Sequence, residues 1–294
     1  MTTLSFGLGI PAAPEPGYDP VAFGQNAEQL GFDFLSVSDH PAATSPTYEA
    51  WTVLSWIAAS TTRIKVGPRV LGMPYRSPAV VAKMAETFDR LSGGRLILGL
   101  GGGYSDEEFQ AFGLATPTPR EKVDGMEDAI HIARGLWSQP QFSYSGKIFK
   151  VEAADVVPRP EHRIPIWLGT FGDRALAVTG RLADGWIPSF GMAPPDQAIV
   201  LRDKIFAAAE GAGRDPGEIT CAYHLEVDPS PDAPDEPWIV SGSVAKIAET
   251  LAGFTKIGFN AFSIVPGGPD RAETIERLAT EIVPAVRELA SDAS

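Results

Sequence analysis

IKVGPRVLGMPYRSPAVVAKMAETFDRLSGGRLILGLGGGY, residues 64–104, reads as one strand-helix-strand unit. An apolar run at 64–70 is followed by a helical pattern over 78–91 and a Ser-Gly-Gly-Arg turn at 92–95. A second apolar run at 96–100 then leads into Gly101, Gly102 and Gly103. Both runs are short and almost continuously apolar, the pattern of parallel strands buried on two faces. The triple glycine opens at the carboxyl end of the second strand, where α/β proteins place their ligands.

The same alternation extends outward in both directions. Strand-like segments are predicted at 4–10, 34–38, 64–70, 96–100, 166–168, 185–188, 220–226 and 261–265. Helical patterns follow them at 20–30, 49–60, 78–91, 120–137, 173–182, 195–212, 244–257 and 270–289. Eight such units with no linker predict a (β/α)8 TIM barrel spanning 1–294 as a single domain, since a doubly wound sheet would need fewer strands. Two stretches depart from the alternation. Residues 139–165 form an insert before the fifth strand, with a small hairpin expected from 142–144 and 149–151 around Ser145 and Gly146, placed on the rim. Residues 228–237 (DPSPDAPDEP) are too rich in proline and acid for an element interior and are read as a loop over the seventh strand, either a lid or disordered.

Composition narrows the partners. With 294 residues, 44% of them hydrophobic, the chain is able to bury a large core. A net charge of -13 opposes nucleic acid or an anionic membrane as the main partner, while leaving room for a small anionic cofactor in a local pocket. The one cysteine, Cys221, rules out a disulfide framework and a thiolate metal site. The opening MTTLSFGLGI lacks a basic n-region and a long apolar core, and no apolar run reaches a membrane-spanning length, so a soluble, cytoplasmic protein is expected.

Taken with GFDFLSVSDH at 31–40, Leu136-Trp137 and PIWLGTFGDRALAVTGRLADGWIP at 165–188, the 64–104 stretch resembles the luciferase-like flavin and deazaflavin oxidoreductases. The likeness is strongest to the branch that uses the deazaflavin coenzyme F420. It covers almost the whole chain, and its motifs are specific jointly. The resemblance implies a luciferase-like barrel that transfers a hydride between F420 and a small organic substrate. An FMN-dependent monooxygenase is the alternative, and a barrel that only stores the cofactor is a third reading, opposed by the proton donors His40 and Tyr104. A homodimer is implied too, through an apolar patch on the second to fourth βα units.

Candidate site residues follow from strand ends and from the likeness. Asp39 and His40 close the second strand at the catalytic rim; read in isolation, Asp39 would cap a turn before Pro41 and His40 would be a surface residue. In sugar phosphate dehydrogenases of the branch the matching histidine takes the substrate proton, a role that suits its ordinary pKa. The resemblance implies a non-prolyl cis peptide at Arg69-Val70 supporting the back of the cofactor ring. Gly99 and Gly101 begin a G-x-G, but Tyr104 stands where a dinucleotide fingerprint needs glycine, so Gly101, Gly102 and Gly103 are read as a backbone wall against a flat ring. Gly169, Thr170, Phe171, Gly172 and Asp173 follow the fifth strand and open a helix whose amides suit a phosphate, with Thr170 offering side-chain contact. Tyr104 replaces the catalytic glutamate of the sugar phosphate dehydrogenases and Thr44 their tryptophan, which argues against sugar phosphate oxidation. His131, His162 and His224 have no ligand spacing, and no metal is expected.

Overall fold

The computed structural model describes residues 4–11, 13, 17–42, 46–234 and 236–291. Its main sheet is built from β1 (Ser5–Gly9), β2 (Phe34–Val37), β3 (Lys65–Pro68), β4 (Leu71–Gly72) and β5 (Leu98–Gly101). After a hairpin of β6 (Phe142–Ser145) and β7 (Lys150–Ala154) come β8 (Ile166–Leu168), β9 (Gly185–Trp186), β10 (Thr220–Asp228), β11 (Ile239–Ser241) and β12 (Ala261–Pro266). The helices are α1 (Pro20–Gln29), α2 (Ala50–Ala59), α3 (Pro78–Ser92), α4 (Asp106–Ala111), α5 (Pro119–Ser138), α6 (Asp173–Leu182), α7 (Pro195–Gly211), α8 (Val244–Lys256), α9 (Arg271–Arg277) and α10 (Val283–Ser291).

All main-sheet pairings are parallel, in the order β3-β2-β1-β12-β10-β9-β8-β5-β4. Of the ends of that path, β3 falls within the strand expected at 64–70, and β4 continues it just past that range. The Arg69-Val70 peptide between them is cis. The first piece pairs with β2 and the second with β5, while Val66 also bridges Leu96, so the sheet closes into an eight-staved barrel. The expected (β/α)8 architecture is the one observed.

Side chains on alternate strand positions point into the barrel, and their size changes along its axis. Phe34, Ile97, Trp167, Ile187, Ala222 and Ala261 pack together, with Phe34 edge-on to Trp167 at 5.7 Å. Two positions further along β2 and β12, Ser36 and Ser263 share a hydrogen bond of 2.8 Å. Small residues at this level leave space toward the carboxyl ends, where the chemistry is to be sought. Helices seal the outer face. In α3, Pro78 starts the helix behind Ser77, Val81, Ala85 and Phe88 recur on the buried side, and Gly93 ends it at φ 72°. Burying a residue such as Phe88 contributes on the order of 1.5–3 kcal/mol.

Three details add to the sequence reading. The hairpin forms as expected and packs on α5 and α3 through Phe142, Tyr144 and Phe149. Its base follows the end of α5, and it runs back along that helix until Lys147 at its tip reaches Asp124 near the helix start. The last helix, expected to run unbroken over 270–289, contains a π turn at Leu278–Ile282 between α9 and α10. Pro284 has no amide to bond back to Thr280, and the wider turn before it absorbs the missing bond. The 228–237 stretch is anchored at its start: buried Asp228 accepts from the amide and hydroxyl of Ser230, and β11 pairs with the end of β10 just beyond the loop. Among the described residues no helix is long and apolar enough to cross a membrane.

Barrel closure requires close backbone approach at the broken strand. A β-carbon on Gly99 would lie 1.9 Å from the Pro68 carbonyl oxygen, whereas one on Gly253, within α8, would meet nothing within 4 Å. Gly99→Ala is therefore expected to destabilise the protein by roughly 1–3 kcal/mol or more, and Gly253→Ala to stabilise it by about 0.5–1 kcal/mol. Denaturant unfolding of the two variants checks the contrast.

Candidate active site

A cavity of about 400 Å³ opens at the carboxyl ends of β2, β4, β5, β8 and β9. Asp39, His40, Arg69, Val70, Gly101, Gly102, Gly103, Tyr104, Gly169 and Phe171 all border it, so ten of the thirteen residues singled out from the sequence converge on one space. Ile187 and Met192 add apolar wall, and Ser38 and Ser189 add hydroxyls. Glycine is required where β5 meets the broken strand: a β-carbon on Gly101 would stand 2.6 Å from Val70 Cγ2.

His40 is the half-exposed imidazole of this space. Its Nδ1 lies 2.8 Å from Glu108 Oε1, and the other carboxylate oxygen, Oε2, accepts from the Tyr75 hydroxyl at 2.8 Å. A carboxylate accepts only, so Nδ1 carries the hydrogen and Nε2 is left as the acceptor. Burial, with the Glu108 carboxylate next, keeps the Tyr75 hydroxyl protonated far above its ordinary range, and it therefore serves as a donor. Tyr104 stands at the mouth, 77% exposed, with its ring edge-on to His40 at 6.2 Å.

Asp39 borders the cavity, but its carboxylate is engaged. It takes two hydrogen bonds from the Arg76 guanidinium, at 2.7 and 3.0 Å, and a third from the Gly72 amide at 3.0 Å. Arg76 also reaches Glu49, which caps α2. The Thr170 side chain does not offer the contact expected of it: buried, it hydrogen-bonds Thr179 within α6 at 2.8 Å, and its carbonyl accepts from Trp186 Nε1. Gly172 and Asp173 lie apart from the main cavity, in a cleft of about 580 Å³ at the N-terminus of α6 shared with Arg120 and Arg174. Both arginines are drawn toward Asp124. Thr44 lies outside the described residues.

The floor is electropositive. Arg69 is enclosed without a hydrogen bond to its Nε, and burial pushes its guanidinium down to about 10. Below it, His224 is held well under the ordinary imidazole range, by burial first and by Arg69 second. Its Nδ1 is 3.1 Å from the Ser263 carbonyl oxygen, so it is a neutral donor there. Among the described residues no cluster of three or more His, Cys, Asp or Glu side chains is arranged to hold a metal.

Glu108 and Tyr75 were missed by sequence reasoning. Ser105-Asp106-Glu107-Glu108 has the Ser-x-x-Glu spacing that announces a helix start, and Ser105 does cap α4 by accepting from the Glu108 amide. The Glu108 side chain does not return to the cap, however. It turns to His40, 68 residues earlier in the chain, and nothing local signals that choice.

The luciferase-like monooxygenase family model matches residues 4–236. Among curated proteins, the F420-dependent glucose-6-phosphate dehydrogenase of Kineococcus radiotolerans is 27% identical over 312 residues, covering 90% of this chain and 92% of that protein. The protein of the same name from Microbacterium testaceum is 30% identical over 217 residues, 71% of this chain and 64% of its own length. Among solved structures, an F420-dependent secondary alcohol dehydrogenase holding an F420-acetone adduct superposes with a TM-score of 0.86 at 19% identity, covering 97% of this chain and 99% of that one. The coenzyme F420-dependent tetrahydromethanopterin reductase of Methanopyrus kandleri gives 0.82 at 23% identity, with 96% and 99% covered. At these identities the two structures speak for the fold.

The Glu108 bond makes a statement about the His40 ring that is measurable without any ligand. Nitrogen NMR of labelled protein at pH 8 should show His40 protonated at Nδ1. In Glu108→Ala the ring should drift toward the Nε2-H tautomer that free imidazoles favour. An unchanged Nδ1-H signal in the variant would mean that another group orients the ring.

Proposed function

The chain belongs to the luciferase-like monooxygenase family, and on that ground we propose that it is a coenzyme F420-dependent oxidoreductase acting on a small organic molecule. One observation carries the reading: a histidine oriented by a carboxylate faces a glycine-walled cavity at the barrel's carboxyl rim. The F420-dependent names of its relatives support a deazaflavin over FMN. The residues present fit such a group. Gly101, Gly102 and Gly103 would offer bare backbone to a flat ring, Val70 lines the same wall, and the Arg69 Nε has no partner among the described residues.

When bound, the deazaflavin supplies the carbon that accepts or donates hydride. The chain supplies the rest. His40 Nε2 exchanges the substrate proton, Glu108 holds the ring in the tautomer that leaves Nε2 free, and Tyr104 closes the mouth as a second hydroxyl within reach of substrate. Asp39 acts on the site by anchoring the loop that carries Tyr75. Gly169 and Phe171 would hold the ring, and the amides of Gly172 and Asp173 at the start of α6 would hold the phosphate, with Thr170 bracing that loop from behind. Tyr104, in place of the glutamate of sugar phosphate dehydrogenases, points to a substrate other than a sugar phosphate.

The functional unit is a homodimer of this 1–294 barrel in the cytoplasm, where a free buried thiol such as Cys221 stays reduced. A groove of about 810 Å³ on the outside of the barrel, remote from the strand ends, runs between α2 and α3. Beside it Trp56, Val80 and Leu91 are exposed by 68%, 55% and 83%, on two of the units expected to carry an apolar patch. Apolar area of this kind, gathered on adjacent helices, suits a second copy of the chain.

Fluorescence titration of the purified protein with oxidised F420 and with FMN tests the coenzyme reading. Tighter binding of F420 is expected, and tight FMN binding with no F420 response would replace the reading by an FMN-dependent monooxygenase. His40→Ala should leave F420 affinity within a few-fold of wild type and lower turnover on the order of 100-fold or more. For the assembly, Leu91→Glu combined with Val80→Glu should convert the dimer to monomer in analytical ultracentrifugation, and an unchanged sedimentation coefficient would move the interface elsewhere.

A further inference from the structure

Two enclosed arginines in this barrel are treated in opposite ways. The Arg95 guanidinium donates to five oxygens: the carbonyls of Ala58, Thr61, Ile64 and Ser92 and the Thr61 hydroxyl. Arg69 lines the cavity floor, and its guanidinium has no hydrogen bond or ion pair with any described residue. The rim acids that might have paired with it are engaged elsewhere, Asp39 by Arg76 and Gly72, and Glu108 by His40 and Tyr75. Its neighbour on the inner side, His224, is a neutral imidazole. Arg69 is half-buried with its Nε shut off from water, and a cation so placed without a partner is unfavourable unless something in the cavity completes it.

We propose that Arg69 is the counter-charge for the reduced coenzyme, so that the empty-handed ring binds less tightly than the ring that has received hydride. The inference rests on the F420 reading. In the oxidation of an alcohol, the substrate C–H bond yields a hydride to the ring carbon, the O–H bond yields its proton to His40 Nε2, and the carbonyl forms between them. The ring gains two electrons and one proton, and therefore one negative charge, spread over its pyrimidine end. Arg69 meets that charge in a site of low polarity, where a charge-assisted hydrogen bond is strong. The oxidised ring carries one negative charge fewer and so offers the guanidinium less to meet. A site built in this way draws the equilibrium toward the reduced coenzyme, and so toward substrate oxidation.

The test compares wild type, Arg69→Met and Arg69→Lys, titrated anaerobically with oxidised and with reduced F420, together with the midpoint potential of the bound coenzyme. Arg69→Met should weaken the reduced form roughly tenfold to hundredfold more than the oxidised form. The bound potential should then fall by about 30 mV for each tenfold, and Arg69→Lys should recover part of both effects. Free Arg69→Met should unfold at the same or a higher temperature than wild type, since an unpaired buried charge has been removed. Equal weakening of both forms, or no change in either, overturns the role of Arg69 while leaving the coenzyme reading intact. Failure of wild type to bind F420 in either form overturns both.

Discussion

The buried ion pair between Asp39 and Arg76 is the constraint on which the site depends. Asp39 lies two residues beyond β2 with its side chain 1% exposed, and it ties the end of that strand to the Gly72 amide and the Arg76 guanidinium of the segment after the broken third strand. Removing one partner of such a pair typically costs about 3–5 kcal/mol, because the other is left charged and unsolvated. Here the consequence reaches past stability. The segment fixed by the pair carries Tyr75, Tyr75 holds Glu108, and Glu108 holds His40. Four residues from three separate stretches thus set the direction of one imidazole nitrogen.

The cavity above them is a product of side-chain size along the barrel axis. Large rings and aliphatics plug the amino-terminal end, serines occupy the middle, and glycines line the carboxyl end. Since inward positions recur at every second residue, this gradient is written along each strand: Phe34, Ser36 and Ser38 on β2 and just beyond it, and Ile97, Gly99 and Gly101 on and before β5. The same small residues that permit close packing at the broken strand also leave room for Arg69 and His224 to lie inside.

Charge is distributed in opposition to the whole. A protein with a net charge of -13 has an unpaired guanidinium at the floor of its cavity and two further arginines at the cleft before α6. Like charge over the surface discourages nonspecific binding of polyanions, while the unpaired guanidinium at the cavity floor favours a ligand that is anionic there; the arginines at the α6 cleft are drawn to Asp124. The acidic exterior and the arginine at the cavity floor are therefore compatible.

Much of the architecture was determined by the sequence itself, because parallel strands buried on both faces and the helices between them leave strong local patterns. The eight staves, the helix after each, the hairpin around Ser145 and Gly146, and the placing of Asp39, His40 and the three glycines at strand ends are all legible in the order of residues, whereas Arg69 and Val70 are marked only by the family resemblance. The π turn before Pro284 and the short β4 and β11 are not, since each arises from how neighbouring elements meet. The partners of the site residues belong to tertiary structure alone. That Asp39 is spent on Arg76, that Thr170 turns inward to Thr179, that Glu108 orients His40, and that Arg69 has no partner are contacts across 9 to 68 residues of chain or the lack of any. Periodicity reports which face of an element a side chain occupies, but hydrogen-bond partners are chosen only when the barrel closes and the strand ends come together.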